Sequence, residues 1–165
     1  MFDDLIEICN KHIVQLRKNI MDYFNELKKR SRIEDDDLVM DCDAIINKAN
    51  SGLSLIWNCG HSSEHSSAIC PELHLAIRKH NLVSSMLVEL NDSQTTAEHK
   101  REALAGFLTQ ENKRILKEPY SSSIKSKLFK TEGEIFLKAV QKNCKKIEAR
   151  LEIEKQSTLF ENASI

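Results

Sequence analysis

Apolar residues return every three or four positions through the first thirty residues of the chain. Phe2, Leu5, Cys9, Ile13, Leu16, Ile20, Phe24 and Leu27 fall on one stripe, the spacing that gives an amphipathic helix a single buried face. Ile6, Met21 and Tyr23 widen it. The pattern predicts a first helix over residues 3–31. Lys28, Lys29 and Arg30 fill its last turn, where cations offset the negative helix end.

Glu34, Asp35, Asp36 and Asp37 follow at once and suit the positive end of a second helix, with an aspartate as N-cap. Its stripe of Leu38, Cys42, Ile45, Ile46, Ala49, Leu53, Ile56 and Trp57 predicts a helix reaching about Asn58. Residues 59–70 are polar and aperiodic and read as a loop. Pro71 then fits the first position of a third helix, carrying Leu75, Ile77, Leu82, Val83, Met86, Leu87 and Leu90. A change of phase near Asn81 predicts a kink or two shorter helices. A fourth helix over about 94–117 uses Ala97, Leu104, Phe107, Leu108, Ile115 and Leu116, and Pro119 ends it. Ser121, Ser122 and Ser123 offer the cap of a fifth. That helix runs to about Lys155 with Ile124, Leu128, Phe129, Ile135, Phe136, Ala139, Val140, Ile147 and Leu151. Gly133 lies inside it as a candidate break or close helix contact.

Long helices joined by short connections pack as antiparallel neighbours. The expected fold is therefore all-α: an antiparallel bundle of about five helices with long N-terminal and C-terminal members. Residues 1–156 make a single domain and residues 157–165 a flexible tail.

Composition narrows the class. The chain holds four glycines and two prolines, where an average chain of this length would hold about 20. An all-β sandwich or barrel needs turn residues every 8–12 positions, which this chain cannot supply. At 165 residues a chain buries enough surface to fold without a disulfide or metal. The formal net charge of −1 argues against a general affinity for nucleic acid or anionic membrane. The charge is segregated, with +2 on residues 1–32, −8 on 33–99 and +5 on 100–165. No apolar run is long enough for a membrane span, and Met1–Glu7 lacks the basic start of a signal peptide. The five cysteines, an odd number, read as reduced thiols in a cytoplasmic setting.

The densest candidate chemistry lies in the polar break. Cys59, His61, His65, Cys70 and His74 fall close together, with His61/His65 and Cys70/His74 each four apart. On helical turns each pair would face one side, and zinc accepts four such N/S ligands. A cysteine at a helix start would also have a lowered pKa, favouring the thiolate a metal needs. The spacing departs from finger, ribbon and knuckle patterns, and the other reading is a Ser/His-rich loop with two ordinary thiols.

Glu34 with Asp37, and Glu89 with Asp92, are each three apart. They resemble the paired acids with which all-α nucleotide pyrophosphatases hold Mg²⁺, and the resemblance implies a Mg²⁺-dependent phosphohydrolase. The Glu-x-x-Glu of that family is absent, and both pairs fall at helix ends. His99 is followed by Lys100 and Arg101 rather than by the sequence of a phosphotransfer histidine, and reads as solvent-facing. There is no Gly-x-Ser-x-Gly elbow and no phosphate-cradling glycine loop. Lys138, Lys142, Lys145, Lys146 and Arg150 make a basic outer face on the fifth helix. It has too few aromatics for nucleic-acid stacking, so it suits solvent or an acidic protein partner.

Glu148, Glu152 and Glu154, followed by Ser157, Thr158, Leu159, Phe160 and Ile165, resemble the C-terminal secretion signals of bacterial type IV effectors. The resemblance covers only residues 148–165. It implies translocation into a host cell and says nothing of the body. Taken together, the sequence points to a non-catalytic helical interaction module, an adaptor or regulatory subunit. Its partner is another protein or a second copy bound through the first helix, with no cofactor. The alternatives are a zinc-binding helical protein and the Mg²⁺-dependent hydrolase.

Overall fold

The computed structural model describes residues 1–30, 39–52, 70–121 and 130–163. All regular structure among them is α-helical: α1 (Asp3–Arg30), α2 (Cys42–Asn50), α3 (Pro71–Asn91), α4 (Ala97–Phe107), α5 (Gln110–Lys117) and α6 (Glu132–Ala163). The all-α expectation holds.

The stripe of α1 is buried as the spacing predicts, with Leu5, Cys9, Leu16, Ile20, Phe24 and Leu27 inside. Its principal neighbour is α3, and α6 also packs against it. The N-terminal half of α1 meets Val83, Met86 and Leu90 from the far end of α3, whereas its C-terminal half meets Leu73, Ala76 and Ile77 from the near end. The two helices are therefore antiparallel. Apolar burial of this kind contributes about 1.5–3 kcal/mol per large side chain. The stripe expected to serve self-association is consumed by the protein's own core.

That core has two parts. One gathers α1, α3, α4, α5 and α6 around Leu5, Leu16, Val83, Leu116 and Val140. The other joins α1, α2 and the start of α3 around Ile20, Phe24, Ile45 and Leu73. A buried polar stretch lies beside Leu16 and Tyr23, between the two.

Several expected boundaries move. The described part of the second helix starts at Cys42, where Asp41 is the N-cap and its carboxylate accepts from Ala44 N at 2.7 Å. It ends with Gly52 at φ +73°, a left-handed position that glycine fills without strain. The acidic run 34–37 and the expected continuation through Leu53, Ile56 and Trp57 lie outside the described residues.

The chain does not divide into two shorter helices at Asn81, since α3 is continuous through it. Its apolar positions change phase because α3 packs against α1, α2, α4 and α5 in turn. Asn81 instead exchanges amide hydrogen bonds with Asn50 of α2, the shorter being 2.7 Å.

The expected fourth helix is two. Thr109 caps α5 by accepting from Asn112 N (3.2 Å), and the Asn112 side chain returns a bond to the carbonyl of Phe107 (3.0 Å). One Thr/Asn pair thus ends α4 and begins α5.

Gly133 stands in the first turn of α6. Residues 122–129, which include the expected positions Ile124, Leu128 and Phe129, lie outside the described residues. At the far end α6 runs on to Ala163, through most of the segment expected to be a tail.

Candidate functional site

Of the five Cys/His positions singled out above, Cys59, His61 and His65 lie outside the described residues. Cys70 is the N-cap of α3, and its thiol is buried, donating to the carbonyl of Tyr23 at 3.9 Å and lying 3.5 Å from Glu72 Oε2. Burial pushes its pKa up, the reverse of the activation expected at a helix start, because loss of water outweighs the helix end. His74, one turn on, is exposed. Among the described residues no group of three or more His, Cys, Asp or Glu side chains is placed to hold a metal ion.

Glu34 and Asp37 likewise lie outside the described residues. Asp92 is engaged in the turn after α3, accepting from Gln94 N at 2.9 Å and from Thr95 Oγ1 at 2.6 Å. Glu89 is exposed, 4.0 Å from His99 Nε2. The helix-turn role accounts for Asp92 without a metal.

Two other features carry more. The first is the end of α6. Leu151 is its last buried residue, and every residue from Glu152 to Ala163 is exposed. Ile153, Leu159 and Phe160 are 63%, 68% and 75% exposed. Ile153 and Phe160 are seven apart and share a helix face, and Leu159 continues the stripe of Leu151. A shallow hollow of about 510 Å³ lies beside Leu151 and Leu159, rimmed by Glu98, Glu154, Lys155 and Thr158. Lys155 is paired with Glu98 at 2.5 Å, and Arg101 binds the same glutamate at 2.9 Å. Glu98 is thus shared by two cations, and on the projecting turns Glu152, Glu154 and Glu161 outnumber Lys155.

The second feature is a cleft of about 450 Å³ where α1, α3, the segment after α5 and the start of α6 meet. Leu16, Tyr23, Pro119 and Tyr120 supply its apolar walls. His12 enters from α1. Its ring stacks on Phe136 of α6 with centroids 4.1 Å apart, and its Nε2 is buried without a hydrogen-bond partner. Burial, with Lys79 nearby, lowers its pKa to about 4.

Lys79 enters from α3 and is 3% exposed. Its ammonium donates to the carbonyl of Glu118 at 2.5 Å and sits 4.3 Å from the centroid of the Tyr120 ring. Burial lowers its pKa to about 8, so it remains mostly charged at neutral pH. Among the described residues no carboxylate lies within ion-pair distance of it.

Tyr120 packs against Tyr23 with ring centroids 5.1 Å apart. Burial raises its pKa to about 12. Asn19 donates to the Tyr120 hydroxyl at 3.4 Å and to Glu132 Oε2 at 3.3 Å, and is itself held by Gln15 at 3.0 Å. The start of α6 closes the cleft with a reciprocal cap: Thr131 N donates to Glu134 Oε2 (2.8 Å), and Glu134 N donates to Thr131 Oγ1 (3.2 Å). This capping box satisfies two backbone donors.

His12 and Lys79 were not anticipated as site residues. The signal was present: His12 stands on the stripe between Cys9 and Leu16, and Lys79 between Ala76 and Val83. A polar side chain on an apolar face either finds a buried partner or marks a polar cavity. No known protein family, curated protein or solved structure matches the chain.

Proposed function

We propose that the protein is a non-catalytic helical interaction module that docks through the projecting end of α6. The exposure of Ile153, Leu159 and Phe160 beyond the last buried residue, Leu151, carries this reading. An amphipathic helix laid along a partner is recognised by anchors at such spacings, and large exposed apolar side chains gathered on one element mark interaction surfaces. The excess of acid on the projecting turns, Glu152, Glu154 and Glu161 against Lys155, favours one partner chemistry: an amphipathic helix whose apolar side chains are flanked by lysine or arginine. Electrostatic complementarity of this kind sets specificity and association rate more than affinity.

The test is site-specific photocross-linking of the full chain in extract of its native host, with the cross-linker at Phe160 or, as control, at Lys142, exposed five turns earlier on the same helix. Capture at 160 of a protein with a basic amphipathic helix, abolished by Ile153→Ser with Leu159→Ser, is the expected result. Equal capture at both positions, or persistence in the substituted chain, overturns it. Cross-linking to a second copy of the chain would also overturn it, replacing a foreign partner by self-association.

A further inference from the structure

The cleft at His12 and Lys79 has a composition that a purely structural cavity lacks. A buried ammonium normally stands against a carboxylate, because an unpaired buried charge is costly. Lys79 has instead one carbonyl and a ring face. Two of its three N–H donors have no acceptor among the described residues. Beside it, His12 Nε2 is also buried and unpartnered. Two adjacent polar groups, both more than nine-tenths buried, therefore line the same space with unused hydrogen-bonding capacity. The N-terminus of α6, a helix of 32 residues, opens onto it at Glu132 and Gly133, and adds its positive end.

The remaining lining fixes the rest of the ligand. Leu16, Pro119 and the rings of Tyr23 and Tyr120 form an apolar wall. A volume of about 450 Å³ falls in the range of small-molecule sites. Among the described residues that line it, Lys79 is the one buried formal charge. Lys130, Glu118 and Glu132 also line the cleft, but all three are exposed, two acids against one cation. A dianion such as phosphate would lack its second counter-charge.

We infer that this cleft binds a small monocarboxylate with an apolar, ring-sized body, its carboxylate received by Lys79 Nζ and by His12 Nε2 as an N–H donor. The apolar body lies against Leu16, Pro119 and the two tyrosine rings. Binding supplies a counter-ion within ion-pair distance, which no described residue gives Lys79, and completes the hydrogen bonding of both buried groups. This inference stands apart from docking through α6, so either can fail alone.

Saturation-transfer NMR on the full chain tests it, with benzoate as probe, benzamide as the neutral isostere and inorganic phosphate as competitor. Benzoate is expected to bind about tenfold or more tightly than benzamide, the discrimination of a charge-assisted contact. Lys79→Met should abolish the benzoate signal. In the unsubstituted protein, benzoate should raise the Lys79 pKa from about 8 towards that of an ordinary lysine, read from its side-chain carbon shifts. This second measurement does not depend on how the variant folds. Equal binding of benzamide, displacement of benzoate by phosphate at the same concentration, or an unmoved Lys79 titration would each overturn the inference.

Discussion

Gly133 lies so close to Leu116 that a Cβ at position 133 would stand 1.7 Å from the Leu116 carbonyl oxygen. The start of α6 is thereby pressed onto the end of α5, and Thr131 Oγ1 reinforces the contact by donating to the Lys117 carbonyl at 3.3 Å. The obstacle is backbone, so no rotamer change relieves it. Gly133→Ala must displace α6 or α5, and overpacking of this kind costs about 1–3 kcal/mol or more. Chemical denaturation should show that loss. Gly106→Ala is the control: nothing lies within 4 Å of its Cβ position, and alanine inside a helix is favoured over glycine by about 1 kcal/mol. The two substitutions should therefore shift stability in opposite directions.

His12 makes stability depend on pH in a defined window. Its folded pKa of about 4 lies below the unfolded value near 6.5. Between these values the unfolded chain binds the extra proton, so stability falls as pH drops from about 6.5 to about 4. The full effect is about 3 kcal/mol. His80, whose burial also lowers its pKa, adds in the same direction. Urea titrations at pH 4.5 and 7 should show a large difference in the unsubstituted protein. His12→Phe keeps a ring against Phe136 and should reduce that difference, leaving the share owed to His80.

The helical class and the inward face of α1 were legible because a 3.6-residue period records which side is buried. Residues such as Leu5, Leu16 and Phe24 occupy the core that their spacing assigns. The break at Leu108–Thr109 was harder to see, since the apolar period carries through it and only a Thr/Asn cap interrupts it. The phase change in α3 misled because period analysis assumes one buried face, and α3 has several neighbours. Cys70 and His74 show why spacing alone does not assemble a site: Cys70 precedes the helix and points inward, while His74 points out. The cleft could not be read directly, because His12, Lys79 and Tyr120 come from three distant segments joined only by tertiary packing.

Lys79 carries a buried charge whose cost depends on pH. Its folded pKa of about 8 lies below the model-compound value of 10.5. The cost is complete below about pH 8 and is relieved as pH rises towards 10.5, because over that range the unfolded chain holds the proton more tightly. Lys79→Met removes this penalty of about 3 kcal/mol and forfeits the Glu118 carbonyl bond, about 1 kcal/mol. A net gain of about 1–2 kcal/mol at pH 7 should appear in denaturant titrations. The gain should shrink between pH 8 and 10. Above pH 10 Tyr120 intervenes: its raised folded pKa of about 12 makes stability fall as the unfolded tyrosine ionises.

The capping box of α6 separates a charge effect from a hydrogen-bond effect. Thr131→Ala removes the acceptor for Glu134 N and the link to Lys117, and should cost about 1–2 kcal/mol. Glu134→Gln keeps an oxygen for Thr131 N and should change stability by no more than about 0.5 kcal/mol. Equal losses from both would mean that the carboxylate's charge, not its geometry, holds the helix start.

The packed and projecting parts of α6 should differ sharply in their response to the loss of apolar side chains. Ile147 and Leu151 are nearly inaccessible, and Ile147→Ala should cost about 2–4 kcal/mol, the transfer and cavity terms of a buried isoleucine. Ile153 and Phe160 are mostly exposed. Their replacement by serine leaves no cavity, so Ile153→Ser with Phe160→Ser should hold stability within about 1 kcal/mol, with a small loss from the helix propensity of serine. Thermal unfolding of the three chains side by side checks this. A large loss in the double variant would show that the projecting turns are structural, and the docking role of α6 would lose its physical basis.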